Sequence, residues 1–117
     1  MSRIRLVDLE LEYSKIRKSY LNNISDYLRK IKEIGKKFDP YCRLIVFGSY
    51  VRGNMRPDSD VDILLITTLA NNASYRCRLR AAIAREIGLV TPFEIHIITK
   101  EEYEKWYKKF IDVLQEI

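Results

Sequence analysis

Between Tyr13 and Phe38 the apolar residues fall at Tyr13, Ile16, Tyr20, Ile24, Tyr27, Ile31, Ile34 and Phe38. Steps of three and four residues put side chains on one face of an α-helix. Leu9, Leu21 and Leu28 widen the stripe, so Val7–Phe38 is predicted as one long helix, stopped by Gly35 near its end and by Asp39-Pro40 beyond it. A helix of about 30 residues runs ~45 Å, longer than a domain of this size is wide. Either part of the stripe faces a second subunit or another protein, or the helix breaks at Asn22-Asn23 and its halves pack on one core.

After Pro40 the pattern shortens. Tyr41–Phe47 and Val61–Thr67 are apolar runs rich in β-branched residues and are predicted as strands, with a turn at Arg56-Pro57-Asp58 between them. Pro92–Thr99 alternates Phe93, Ile95 and Ile97 with Glu94, His96 and Ile98, the period of a third strand. Leu69–Asn72 reads as a loop, and Ser74–Ile87 as a helix with Leu79, Ile83 and Ile87 at helical spacing and Gly88 as its stop. Thr99 and Glu102 form a capping box that opens a last helix, Lys100–Glu116. The predicted fold is α/β (α+β): a small mixed sheet of about three strands packed with helices, behind a long N-terminal helix.

Composition narrows the class. At 117 residues, 47% hydrophobic and 32% charged, the chain is expected to form a single globular domain, with 1–39 helical and 40–117 a core unit. No apolar run approaches the ~20 residues of a membrane span. The opening stretch MSRIRLVDLELEY lacks the apolar core of a signal peptide, so a cytoplasmic location is expected. Cys42 and Cys77 do not form a CxxC pair and there is one histidine, which argues against zinc and for reduced, packed cysteines. The net charge of +5 is spread along helices among Glu and Asp; it reads as a solvated surface, not a nucleic-acid groove. The scarcity of Gln beside many Lys, Arg, Ile and Tyr is a thermophile-like balance.

The chemistry concentrates in Phe47–Ile66, FGSYVRGNMRPDSDVDILLI. Asp60 and Asp62 are two apart at the start of a strand and project to the same side. Two carboxylates held close repel unless a cation sits between them, and oxygen ligands suit Mg²⁺. Gly48 permits close backbone approach to a ligand, and amides opening a helical turn after Ser49 are phosphate donors.

Gly48-Ser49, ten residues, then Asp60-Val61-Asp62, with Arg52, Gly53 and Ser59 in place, resembles the nucleotidyltransferase superfamily related to DNA polymerase β, whose small members carry GSxxRGxxxxxSDxD. The resemblance covers about Leu44–Thr99, and the brevity of the chain points to the minimal nucleotidyltransferases. It implies a nucleoside triphosphate, ATP by preference, held at Gly48, Ser49 and Arg52. It also implies two Mg²⁺ ions on Asp60, Asp62 and a third carboxylate, and transfer of a nucleoside monophosphate to a hydroxyl. The third carboxylate is usually Asp; here Glu94 stands on the matching strand, one methylene longer. His96 shares its face but reads as structural. Arg76 and Arg80, a helical turn apart, are a weaker phosphate grip. With no room for a separate acceptor domain, the resemblance implies a partner. Such chains pair with helical HEPN RNase toxins and act as antitoxins, some by moving AMP onto a toxin tyrosine. Two other readings stand beside it: a non-catalytic binding module acting by contact, and transfer to RNA or a small molecule. A homo-oligomer is also compatible with the long stripe.

Overall fold

The computed structural model describes residues 5–117; Met1–Ile4 of the N-terminal stretch read above lie outside it. The order is α1 (Leu6–Asn22), α2 (Ile24–Phe38), β1 (Arg43–Phe47), the short α3 (Ser49–Arg52), β2 (Val61–Ile66), a 3₁₀ turn (Thr68–Asn71), α4 (Ala73–Ile87) and β3 (Phe93–Ile98). It closes with α5 (Lys100–Glu102), a π-helical turn (Tyr103–Tyr107), α6 (Lys108–Phe110) and β4 (Leu114–Glu116). This is a mixed α+β fold on one sheet of order β3-β2-β1-β4. β1 and β2 are antiparallel, with Phe47 opposite Asp62, whereas β2 and β3 are parallel, with Asp62 beside Glu94 and Leu64 beside His96.

The predicted long helix is broken. Asn23 leaves the helical conformation at φ −121° and ψ 30°, and its side-chain amide donates to the Ser19 carbonyl at 3.0 Å. An Asn side chain competes for helix carbonyls in this way, which is why the pair at Asn22-Asn23 ends one helix and starts another. Of the two alternatives for the stripe, the break with both halves on one core holds for Tyr20, Ile24 and Tyr27, which pack on the core, Tyr20 and Tyr27 each with their ring centroid 5.9 Å from Phe93. Only the outer part of α1 stays uncovered: Leu6, Val7, Leu9, Leu11, Tyr13 and Ile16 are exposed.

The sheet has two unequal faces. Leu44, Val46, Ile63, Leu65 and Ile97 face α2 and α4, where they meet Leu28, Ile31, Ile34, Leu79, Ile83 and Ile87. Ile45, Leu64, Ile66 and Ile98 face the other way and are covered by Tyr103 and Tyr107 of the last helical segment and by Ile111 just after it. Because alternate strand residues share a face, Asp62 lies on the side of Leu64 and Ile66, and Glu94 and His96 on the side of Ile98.

A fourth strand replaces the end of the predicted last helix. The capping box at Thr99 and Glu102 is present, but Ile111 turns to extended backbone (φ −94°, ψ 113°), and Leu114–Glu116 pair antiparallel with β1. Arg43 grips Glu116 with two hydrogen bonds of 3.0 and 2.8 Å, and the Ile117 amide donates to Leu44. The spacing of Val113 and Leu114 cannot reveal this, because the competing partner is the open edge of β1, some seventy residues upstream.

Candidate active site

The turn after β1 sets the site. Gly48 has φ +82°, a conformation L side chains rarely adopt, and a Cβ there would collide with the Asp62 carboxylate. The glycine therefore lets the turn close over a carboxylate of the neighbouring strand. Ser49–Arg52 follows as one helical turn, and Gly53 at φ +78° reverses the chain out of it.

The adjacent parallel strands then bring Asp62, Glu94 and His96 together. A carboxylate oxygen from each acid and a ring nitrogen of His96 all lie within 4.8 Å of one another. The His96 Nε2 is 3.6 Å from Glu94 Oε1, and its ring stands between Phe47 and Tyr107, with centroids 6.4 and 5.9 Å away. The Asp62 carboxyl is pushed up to about 6. Partial burial is the largest cause, followed by the hydrogen bond and charge of Glu94; the His96 imidazole pulls the other way and Asp60 adds to the rise. Burial beside a second acid thus favours the protonated form of Asp62 unless a cation offsets the charge. Two carboxylates and an imidazole suit a divalent cation, so these residues fit the metal that the sequence implied.

Asp60 is held differently. Its Oδ1 accepts from Arg17 Nη1 of α1 at 3.0 Å, and Asp60 is not one of the three residues that converge. Arg17 is buried, and it also donates to the carbonyls of Pro57 and Ser59. Arg52 reaches Asp112 at 3.2 Å, an exposed ion pair that ties α3 to the segment before β4. Arg76 and Arg80, read as a weaker phosphate grip, each donate to a backbone carbonyl, Arg76 to Ala70 and Arg80 to Ile95.

His96 and Arg17 are the two residues that the sequence reading left out. His96 carries a readable signal, since it follows Glu94 by two on a strand. Arg17 carries a faint one: it falls four residues after Tyr13 and three before Tyr20, so the helical period puts this charge on the apolar stripe. Nothing in the spacing connects it to Asp60.

Residues 28–115 match the model of a family described as nucleotidyltransferase domain. No match is found among curated proteins. Among solved structures, one described as "Crystal structure of putative nucleotidyltransferase" is 28% identical, covering 76% of this chain and 95% of that one, with a TM-score of 0.65. A second, described as a putative nucleotidyltransferase from Sulfolobus solfataricus, is 18% identical over 80% of this chain and 83% of that one, with a TM-score of 0.43.

Proposed function

This chain belongs to the nucleotidyltransferase domain family, and from that premise we propose that it transfers AMP from ATP to a protein hydroxyl, a tyrosine of a HEPN-type RNase toxin, and so acts as an antitoxin. The observation that carries the enzymatic reading is the convergence of Asp62, Glu94 and His96 beside the Gly48 turn. Asp62, Glu94 and Asp60 would hold Mg²⁺, with His96 as a further donor. The metal, when bound, offsets the negative charge of the phosphates and of the leaving pyrophosphate. Gly48 and Ser49 receive the phosphates through their backbone amides, and Arg52 adds charge from the far end of α3. Glu94, the most exposed of the three, takes the proton of the attacking hydroxyl while Asp62 stays anchored under the turn.

A protein acceptor is supported by the exposed apolar residues of α1, which offer a docking face that a small-molecule acceptor does not need. The same observation supports the second reading, inhibition of the partner by contact alone. Incubation with ATP labelled at the α-phosphate, Mg²⁺ and a candidate HEPN protein separates the two. Adenylylation of a toxin tyrosine, detected by mass spectrometry, is expected with the parent chain. Glu94→Gln should slow it by about a hundredfold or more while nucleotide still binds. Toxin neutralisation at full strength with no label transferred would leave the contact reading standing.

A further inference from the structure

Arg17 is a buried cation whose three hydrogen bonds all end on one loop: the carbonyls of Pro57 and Ser59 and the Asp60 carboxylate. That loop runs between α3 and β2, and the last residue Arg17 grips is the first acid of the Asp60-Val61-Asp62 sequence. The guanidinium takes Oδ1 of Asp60, and among the described residues no other hydrogen bond reaches that side chain. Asp60 remains half exposed, 49% at the side chain against 7% for Arg17. One oxygen is therefore fixed from the interior while half of the side chain stays exposed. Arg17 also lies in α1, upstream of residues 28–115 that match the family.

We propose that Arg17 is a positioning residue: it orients the Asp60 carboxylate so that Oδ2 faces a divalent cation held with Asp62. The inference rests on the reading of Asp60 and Asp62 as metal ligands. Its physical basis is that a carboxylate ligand is effective when a second hydrogen bond fixes its rotation, and loss of such a partner typically costs about 10–100-fold in metal affinity. The planar fork of Arg17 spreads its N–H donors in a fixed geometry over several acceptors on one loop, whereas the three donors of a lysine sit on a single nitrogen. By holding the 57–59 backbone to α1, Arg17 also fixes where the carboxylate starts from.

The test is a Mg²⁺ titration of thermal stability in the presence of a non-hydrolysable ATP analogue, on the whole chain. Parent, Arg17→Met, Arg17→Lys, Asp60→Asn and the Arg17→Met/Asp60→Asn double variant are compared. Arg17→Met is expected to raise the Mg²⁺ midpoint by at least about tenfold, and Arg17→Lys by less. In the Asp60→Asn background the Arg17 effect on the midpoint should vanish, because it acts through that carboxylate. A merely structural arginine would lower the melting temperature and leave the midpoint unmoved in both backgrounds, which overturns the proposal. If Arg17→Met does not fold, Arg17→Lys decides: a wild-type midpoint in that variant overturns it as well. Asp60→Asn with a wild-type midpoint overturns the underlying metal assignment, and the role of Arg17 with it; a shift in Asp60→Asn without one in the Arg17 variants overturns the Arg17 role alone.

Discussion

Asp62 occupies the most constrained position in the site. It sits in β2, beneath a glycine turn that leaves no space for a Cβ, beside a second acid and an imidazole. With its carboxyl raised from the ordinary 3.8 to about 6, mainly by burial and then by Glu94, the folded chain binds more protons than the unfolded one across that interval. The stabilising contribution is complete below the ordinary value and is lost as pH rises through about 6. Asp62→Asn removes the titration. In chelator, the melting temperature of the variant relative to the parent should therefore rise between pH 4 and pH 7, the window those two pKa values define. A difference that stays constant across that window would mean that the Asp62 carboxyl is not raised in the folded chain. At this scale the sequence was partly legible. Gly48 and Asp62 could be singled out from their spacing and Glu94 from its strand, whereas Asp60, read as the partner of Asp62, is held by Arg17 outside the converging group. What Gly48 accommodates was not: the close approach it allows is to Asp62, and that depends on the register of β1 against β2. Arg17 lies forty-three residues from Asp60, and a contact of that separation leaves no local pattern.

Among the elements, those whose periodicity agrees with their tertiary partners were readable. β2 is covered on both faces and reads as a continuous apolar run; α4 and α2 each show one buried stripe. The break at Asn22-Asn23 was one of two readings the pattern allowed; the failure occurs at Leu114–Glu116, where pairing with β1 overrides local helical preference. Gly35 belongs to neither group. It was read as a stop signal near a helix end, yet it lies inside α2, where a Cβ would come within 2.8 Å of the Cys42 sulfur. That thiol is buried and pushed up to about 11 by desolvation, which makes it an inert packing group. In an exposed helix, Gly→Ala gains roughly 1 kcal/mol. Here the sign should reverse: Gly35→Ala is expected to cost about 1–3 kcal/mol through overpacking against the Cys42 sulfur. Denaturant unfolding measures this, and Gly35→Ala combined with Cys42→Ala should recover much of the loss. A single variant as stable as the parent would show that α2 can move off β1 freely.

At the scale of the whole molecule the outline is elongated, 52 × 31 × 22 Å, and no helix of the described residues is long and apolar enough to cross a membrane. The outer part of α1 lies upstream of the residues that match the family and carries its apolar side chains uncovered, Leu6 at 72%, Leu9 at 53% and Leu11 at 58% exposure. Further along the same helix, Arg17 fixes the loop that ends in Asp60. A protein docked on α1 would thus stand on the element that supports one edge of the site. Leu9→Asp tests this separately from folding. Leu9 is outside the core, so the substitution should change stability by no more than about 0.5 kcal/mol. A charge placed in a dry interface should nevertheless weaken association with a candidate HEPN protein by tenfold or more. Light scattering on the chain alone and mixed with that protein reads both outcomes, including a second copy of this chain as the occupant. If Leu9→Asp associates as the parent does, the partner approaches the site from another side, and the apolar side chains of α1 play no part in recognition.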